Sequence, residues 1–332
     1  MFHFCTYFDK NYLTRGLALF NSLQRKSDEF KLYILCMDDE TYAMIDKLAG
    51  IHEELIPIAL AEVEQWDEGL LVAKENRSRI EYYFTLSPIL PLYIINNISD
   101  IDIVTYLDAD LYFYSNPKTI YQELGDKSIL IVAHRFPQSL MDLNQYGKYN
   151  VQYQSFRNDE QGLSCLKKWR KQCLQWCYDR LEDGKFADQK YLDAWPELYD
   201  NLIVSNMKGV GVAPWNVGQY EINYQNGDLY VDDQKLVFFH FHAIKKIFLK
   251  FYTTRFSNYE LKRSQKNLIY IYKAYLQELD KANNLFNLPS NFFNQEIRFN
   301  QSNFTQFFIQ GLKGNLIFCF NWRYCGLDNE EE

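Results

Sequence analysis

The most informative segment of the chain is Ile101-Asp102-Ile103-Val104-Thr105-Tyr106-Leu107-Asp108-Ala109-Asp110-Leu111-Tyr112-Phe113-Tyr114. Its β-branched and aromatic first half predicts a strand that is covered on both faces. The carboxylates of Asp108 and Asp110 interrupt this apolar run, and they would repel each other unless a positive charge lay between them. Carboxylate oxygens are the ligands that Mg²⁺ or Mn²⁺ prefers, with substrate phosphates completing the shell. The alternative, a solvated turn with two surface aspartates, is disfavoured by the apolar residues on both sides.

Composition restricts the class of protein. The chain has 332 residues, of which 47% are hydrophobic and 17% aromatic, so a large core is possible and wholesale disorder is disfavoured. This length suits one large α/β domain with an extension, or two domains. The formal charge of −8 argues against a general nucleic-acid binder.

The sequence predicts a cytosolic protein. Met1-Phe2-His3 lacks the basic region of a signal peptide, and no stretch reaches the roughly 18 apolar residues needed to span a bilayer. The seven cysteines are odd in number, scattered and without a C-x-x-C pair, which is typical of reduced thiols.

The N-terminal part predicts a parallel sheet with helical crossovers. Residues 2–8, 31–37 and 54–58 have the composition of strands, and residues 13–23 have the apolar spacing of a helix. This βαβαβ order is typical of α/β folds. Because no G-x-G-x-x-G follows the first strand, a dinucleotide-binding fold of the usual type is disfavoured.

Several polar or aromatic residues lie where such a sheet binds ligands. The turn after the first strand carries Thr6, Tyr7 and Tyr12, and Tyr12 is either a platform for a base or an ordinary helix-start aromatic. Residues 76–96 predict one long helix, bent at its prolines, whose beginning carries Arg77 and Arg79. These arginines are either ligands of a nucleotide diphosphate or part of a solvated face.

The middle of the chain predicts more core elements and one polar interruption. Residues 129–133, 147–157, 202–212 and 231–241 have the pattern of strands, and a helix over 159–181 has an apolar inner stripe. Asp188 and Gln189 then interrupt an apolar stretch. Asp188 is either a helix N-cap or a catalytic group, and the two roles are compatible.

Two histidines and two lysines follow the last of these strands. On a strand, His240 and His242 would point to the same face. Together with Lys245 and Lys246 they predict a third metal ligand and cations for phosphate.

The composition of the chain changes from Ile244 onwards. Eight basic residues and one acid occur between His240 and Lys273, with aromatic residues between them. This segment is either a surface for anionic lipid or a structural cap whose aromatics are packed inside. The sequence therefore predicts a domain over 1–247 and a C-terminal helical, aromatic-rich extension over 248–332.

These motifs together resemble the GT-A glycosyltransferases, and most closely the retaining family of glycogenin and the bacterial lipopolysaccharide galactosyl- and glucosyltransferases. The resemblance rests on the first strand with Tyr12 and its helix, on Tyr106-Leu107-Asp108-Ala109-Asp110, on Ala187-Asp188-Gln189, and on His240-Phe241-His242-Ala243-Ile244-Lys245-Lys246. The last of these is similar to H-x-x-G-x-x-K, with Ala243 in the glycine place. The acceptor element of the family is only loosely matched, by residues 150–154 or 215–218.

The resemblance implies a Rossmann-like, mostly parallel sheet with helices on both faces, and a metal-dependent hexosyltransferase. It implies Mn²⁺ or Mg²⁺ on Asp108, Asp110 and His240 (or His242), and a nucleotide-sugar, expected to be a UDP-hexose. The donor-binding residues would be Thr6, Tyr7, Tyr12, Arg77, Arg79, Asp108, Ala109, Asp110, Lys245 and Lys246. Asp188 and Gln189 would act at the sugar, with retention of configuration.

The expected acceptor is a glycan or glycolipid of surface polysaccharide or lipopolysaccharide, with no nucleic-acid partner. The enzyme would work in the cytoplasm, with a possible contact at the anionic inner membrane face. Two alternatives are a sugar-nucleotidyltransferase and a non-catalytic nucleotide-sugar-binding protein on the same fold. The first is disfavoured because no glycine-rich, basic phosphate loop lies near the N-terminus, and the second because the metal motif is intact.

Overall fold

The structure of the protein, a computed structural model, describes residues 1–248, 251–261, 267–285, 313 and 316–318. Its N-terminal part alternates strands and helices, as predicted: β1 (Phe2–Phe8), α1 (Leu13–Lys26), β2 (Phe30–Cys36), α2 (Asp39–Ala49) and β3 (Leu55–Ala59). Helix α2 begins at an acidic first turn, and the Asp38 side chain accepts a hydrogen bond from the Thr41 amide as its N-cap.

The single long helix predicted over 76–96 is wrong. After α3 (Leu60–Trp66) and α4 (Gly69–Asn76), two short helices occupy this region: α5 (Arg79–Leu86) and α6 (Ile89–Asn97). Ser78 begins α5 with a capping box to Glu81, and Pro88 separates α5 from α6. Because proline lacks an amide donor, the ladder of α5 cannot continue through Pro88, whereas Pro91 is tolerated in the first turn of α6.

The next part of the chain completes the central sheet. Its elements are β4 (Ile103–Leu107), β5 (Leu111–Phe113), α7 (Lys118–Leu124), β6 (Ile129–Ala133), β7 (Tyr149–Arg157), α8 (Glu160–Gln175), α9 (Trp195–Leu198) and β8 (Leu202–Val204). The predicted strand over 202–212 is shorter than expected, and so is the predicted helix over 159–181. Helix α8 has the expected core stripe, since Leu166, Trp169 and Cys173 are fully buried.

The last predicted strand, over 231–241, is not one continuous strand in the structure. The structure divides this region into β10 (Asp228–Val231), β11 (Gln234–Lys235) and β12 (Phe238–His240), after β9 (Ile222–Gln225). Asp232, with φ +53°, lies in the turn between β10 and β11. Because β12 ends at His240, His242 does not follow it on the same strand face.

The central sheet has the order β3-β2-β1-β4-β7-β6-β8. Its β1–β2, β2–β3, β1–β4 and β6–β8 pairs are parallel, and β7 is antiparallel to both neighbours. One hydrophobic core joins one face of the sheet to α3–α6 and α8, and a second joins the other face to α1, α2 and α7. The expected mostly parallel sheet with helices on both faces is therefore confirmed.

The C-terminal extension is described in part, as β13 (Lys245–Phe248), β14 (Phe251–Thr253), α10 (Leu268–Leu285) and β15 (Leu316–Phe318). Its aromatic side chains Tyr252, Phe256, Tyr272 and Tyr275 are buried in a third core with Tyr112 and Tyr114. These aromatics are thus packed inside, as the alternative of a structural cap requires. The predicted tail lies mostly outside the described residues, as do Lys250, Lys262, Arg263 and Lys266 of the basic segment. Of the helices that the structure describes, none is both long and apolar enough to cross a bilayer.

Candidate active site

Asp108 and Asp110 lie at the carboxyl end of β4, in the middle of the sheet. The Asp108 amide donates to the Gln152 carbonyl of β7, which fixes the end of the strand. Strand β5 begins directly after Asp110 and pairs with β12, so that Leu111 lies opposite His240. The Phe241 amide donates to the Asp110 carbonyl at 3.0 Å. This pairing brings two segments that are far apart in sequence to one point.

The three predicted metal ligands form one cluster. His240 Nε2 lies 3.0 Å from Asp110 Oδ1 and 3.7 Å from Asp108 Oδ2. Ligand atoms of Asp108, Asp110 and His240 all lie within 4.8 Å of one another, and His242 is not part of this group. Neighbouring ligands of one octahedral ion with bonds of about 2.1 Å are roughly 3 Å apart, so these atoms fit a single divalent cation.

Charges in the cluster compensate each other. Burial raises the pKa of Asp110, but the charge of His240 and its hydrogen bond outweigh this effect and lower the pKa to about 2. Burial raises the pKa of Asp108 to about 6, with His240 opposing this shift and Asp110 adding to it. Burial lowers the pKa of His240, but the two carboxylates raise it above its ordinary value. The histidine therefore supplies the positive charge that the two carboxylates need.

The donor set suits a hard divalent ion. Two carboxylates and one imidazole nitrogen are compatible with Mn²⁺ and Mg²⁺. Asp108 is the most open of the three, since its side chain is 28% exposed against 11% for Asp110. An ion held here would keep positions on the Asp108 side for ligands from a substrate.

Asp188 lies near this cluster, in a loop between α8 and α9. It is buried, and its side chain does not cap the 3₁₀ turn that follows, so the N-cap alternative fails. Burial raises its pKa to about 7; a hydrogen bond with Ser87 opposes this shift, and the charge of Asp108 adds to it. Trp169 Nε1 donates to the Asp188 carbonyl at 2.9 Å and holds the loop on helix α8.

A line of buried hydroxyls joins Asp188 to Asp108. Tyr106 donates its hydroxyl to Asp108 Oδ1 at 3.0 Å, and the Tyr7 hydroxyl lies 3.1 Å from Ser87 Oγ. The Tyr7 and Tyr106 rings are 5.7 Å apart, centre to centre. Ser87 in turn hydrogen-bonds Asp188. The two acidic groups therefore belong to one polar network beneath the sheet edge.

Gln189 points away from this network. Its Nε2 donates to the Tyr146 carbonyl at 2.9 Å, in the segment before β7. The preceding Ala187 has φ +45°, a left-handed conformation that turns Asp188 inward. The catalytic roles of Asp188 and Gln189 remain predictions.

The predicted donor-binding residues of the first turn lie at the same edge. Thr6 is fully buried, and its Oγ1 has no hydrogen-bond partner among the described residues. The Tyr12 ring is 41% exposed, and the Arg15 guanidinium lies 4.2 Å from its centre. An exposed aromatic ring beside the cluster is a suitable platform for a base.

The two predicted arginines differ in position. Arg79 pairs with Asp9, at the end of β1, and its Nε donates to Tyr83. Arg77 is buried and is bound to Thr85 and to the Leu174 carbonyl, between α5 and α8. The structure therefore places Arg79 at the edge that carries the site, whereas the contacts of Arg77 are those of a helix-packing residue.

The two predicted lysines also differ. Lys246 Nζ lies 3.6 Å from Asp280 of α10 and 5.9 Å from the centre of the Tyr252 ring. Lys245 is exposed and lines two cavities beside the turn that follows His240, and Lys246 lines the smaller of them. Lys245 is thus the more exposed of two cations that could face a phosphate.

Arg15 and His134 have no site role in the sequence prediction, and Trp215 enters it only through the loosely matched acceptor element. Arg15 donates to the Ile244 carbonyl at 2.6 Å and joins α1 to the turn after His240. His134 hydrogen-bonds Asn150, and its carbonyl accepts from Trp215 Nε1. The Trp215 ring lies 5.3 Å from that of His240. One feature of the sequence could have identified His134: it directly follows β6, a strand that ends at the same edge as β4.

Comparisons with known proteins agree with this architecture, although no protein-family model matches the chain. The chain is 35% identical over 250 residues to the uncharacterized protein YfnF of Bacillus subtilis (strain 168), which covers 73% of this chain and 81% of YfnF. It is 28% identical over 243 residues to the uncharacterized protein YfnD of the same organism, with 72% of this chain and 77% of YfnD covered.

A solved structure is similar over most of the chain. The galactosyltransferase LgtC, in complex with donor and acceptor sugar analogs, superposes with a TM-score of 0.50 at 14% identity, over 84% of this chain and 95% of LgtC. This similarity shows the fold, which is that of GT-A glycosyltransferases. The chain belongs to the protein family of YfnF, and its fold is the GT-A fold.

Proposed function

We propose that this protein is a metal-dependent glycosyltransferase that moves a hexose from a nucleotide-diphosphate sugar to a glycan or glycolipid acceptor. The observation that carries the proposal is the cluster of Asp108, Asp110 and His240 at the carboxyl end of the central strand. Open α/β sheets bind ligands at this edge. The fold supports the proposal, since it is that of glycosyltransferases.

The residues of the cluster would act on the leaving group. Asp108, Asp110 and His240 would hold Mn²⁺ or Mg²⁺, which when bound supplies positive charge to the departing diphosphate. Lys245 adds a mobile cation on the same side. Tyr12 would stack on the base, and the Arg79–Asp9 pair would close the nucleotide side of the edge. We take the nucleotide to be UDP, following the family resemblance.

Asp188 would act on the sugar. An anomeric centre that loses its leaving group becomes oxocarbenium-like, and a nearby carboxylate stabilises that charge. The hydroxyl network from Tyr106 to Ser87 supports this role, because it holds Asp188 and Asp108 at fixed positions relative to each other. Gln189 would hold sugar hydroxyls or the loop itself. Retention of configuration is part of the proposal, and we expect the product of an α-linked donor to be α-linked by NMR.

The first experiment is incubation of the protein with a panel of nucleotide-sugars and Mn²⁺, with and without EDTA. Release of a nucleoside diphosphate is expected, and EDTA should abolish it. Release of pyrophosphate from a sugar phosphate and a nucleoside triphosphate would instead identify a sugar-nucleotidyltransferase. Tight nucleotide-sugar binding without turnover, with every acceptor tried, would identify a binding protein.

The site of action is also part of the proposal. We take the enzyme to work in the cytoplasm on acceptors of surface polysaccharide or lipopolysaccharide. Peripheral contact with an anionic membrane remains a prediction, and it would have to use the basic side chains, because the aromatics Tyr252, Phe256 and Tyr272 are buried. Co-sedimentation with anionic and neutral vesicles at low and high salt tests it, since exposed charges are screened beyond about 10 Å at 0.1 M.

A further inference from the structure

Two cavities lie beside the turn after His240. One of about 110 Å³ lies between this turn and the beginning of α1, where Tyr12 and Arg15 line it. The other has about 280 Å³ and lies between Ala243 and residues 253–258. Lys245 lines both cavities. We call the larger one the Arg255 pocket.

The Arg255 pocket is strongly cationic. Its lining includes Lys245, Arg255 and Lys313, and the other polar side chains are hydroxyls and an amide, those of Thr253, Thr254, Ser257 and Asn258. Among the residues that the structure describes, no aspartate or glutamate lines the pocket, and none forms an ion pair with any of these three cations. The neighbouring Lys246 differs in this respect, because Asp280 lies 3.6 Å from its ammonium.

The positive charges near Lys245 repel its ammonium group. Burial and then the charges of Arg255 and Arg15 lower the pKa of Lys245. An anion in the pocket would remove this repulsion. Guanidinium, ammonium and hydroxyl groups together are the donors that proteins use to bind phosphate.

We propose that the Arg255 pocket binds a phosphate group carried by the acceptor. This inference rests on the proposed function. The donor's diphosphate belongs with the acidic cluster and the cavity lined by Tyr12, whereas the described lining of the Arg255 pocket shares only Lys245 with that cavity. The pocket is larger than one phosphate, so it also has room for the group that carries it. The acceptor is therefore a phosphorylated sugar or a phosphate-linked glycolipid, and not a neutral glycan.

The pocket is close enough to the cluster for one acceptor to reach both. Rings connect them: the Tyr259 ring lies 6.3 Å from that of His242, which lies 5.8 Å from that of His240. Trp215 is 6.0 Å from Tyr259 and 5.3 Å from His240, centre to centre. Because Trp215 and His240 are buried, these ring contacts establish the proximity of the two places and do not themselves form the acceptor surface.

Titration calorimetry with three probes tests this proposal: inorganic phosphate, glucose 1-phosphate and glucose. Each is titrated into the full chain with Mg²⁺, in the absence and in the presence of saturating UDP. We expect the two phosphates to bind in both conditions and glucose not to bind. Arg255→Gln and Lys313→Gln should each weaken phosphate binding about ten-fold, the effect of losing one hydrogen bond to a charged group.

Arg180→Gln is the matched control, because Arg180 is exposed and paired with Glu182 in a different part of the chain. It should leave phosphate binding unchanged, and UDP affinity should be the same in all variants, which also verifies their folding. Loss of phosphate binding on saturation with UDP would assign the pocket to the donor and overturn the proposal. Unchanged phosphate affinity in the Arg255→Gln, Lys313→Gln double variant would overturn it as well. If UDP itself does not bind, the nucleotide of the proposed function is wrong, and the variants still test the pocket.

Discussion

The acidic cluster and the Asp188 loop present buried carboxylates in opposite electrostatic conditions. In the cluster, His240 compensates Asp110 and lowers its pKa to about 2, although burial acts against this. Among the described residues no cation offsets the burial of Asp188, which raises its pKa to about 7. His240 therefore keeps Asp110 charged for a cation and opposes the burial that raises the pKa of Asp108 to about 6, whereas Asp188 is held where its charge is unfavourable until a positive centre forms beside it. Asp110 and Asp188 are both aspartates, so the difference between their pKa values comes from their surroundings.

Removal of a cluster carboxylate should have the largest effect. Asp108→Asn or Asp110→Asn removes a negatively charged ligand, and we expect kcat/KM for nucleoside diphosphate release to fall by about 10³-fold or more. Asp102→Asn is the matched control, since Asp102 lies just before the other end of the same strand and is exposed. Circular dichroism should show the same fold in all three variants. Activity close to that of the unmodified protein in Asp110→Asn would refute the metal site.

Asp188→Asn should separate catalysis from binding. We expect kcat to fall by about 10²-fold, with the affinity for UDP and Mn²⁺ retained, because Asp188 would act on the sugar and not on the diphosphate.

Although Asp188→Asn should lose activity, it should not lose stability. A carboxyl whose folded pKa is raised to about 7 favours folding only in its protonated form, so its ionisation costs stability as the pH rises from about 4 to 7. Asparagine removes this cost, and Tm at pH 8 should be unchanged or higher. A drop in both Tm and UDP affinity would show that Asp188 has a structural role, and the comparison with the cluster would fail.

The two histidines give a smaller and more selective effect. His240→Ala should weaken binding of Mn²⁺ and UDP by about 10- to 100-fold, because His240 Nε2 faces both carboxylates. His242→Ala should have less effect, since His242 lies outside the ligand group and burial, then the charge of His240, lower its pKa to about 4. Calorimetry with both variants measures the difference. The reverse order would transfer the ligand role to His242.

A change of one pH unit should have the smallest effect on metal binding, and it acts through the cluster. Metal binding requires Asp108 ionised and His240 neutral, and both have pKa values raised above their ordinary range. Protons therefore compete with the ion, and the affinity for Mn²⁺ should decrease by about ten-fold or less as the pH falls from 7 to 6. Titration in buffers of different ionisation enthalpy counts these protons. An affinity that does not change with pH would contradict the charge balance of the cluster.

The sequence determined the elements that depend on local pattern. Alternation of apolar runs and amphipathic spacing predicted β1, α1, β2 and β3, because period and composition report burial directly. It also predicted Asp108 and Asp110 as a metal motif, since two carboxylates that interrupt a buried strand are unfavourable there unless a cation lies between them. The predictions failed where a turn or a proline interrupts an apolar run, as at Pro88 and between β10 and β12.

Where two neighbouring residues look equivalent in the sequence, only the tertiary structure shows which of them lies in the site. His240, and not His242, reaches the carboxylates because β12 pairs with β5 and ends there. Lys246 is directed to Asp280 of α10, whereas Lys245 lines the two cavities. Ser87 connects Asp188 to Tyr7 across 80 residues of sequence. These choices depend on strand pairing and on contacts between distant segments, and a local pattern of residues contains no information about which distant partner is met.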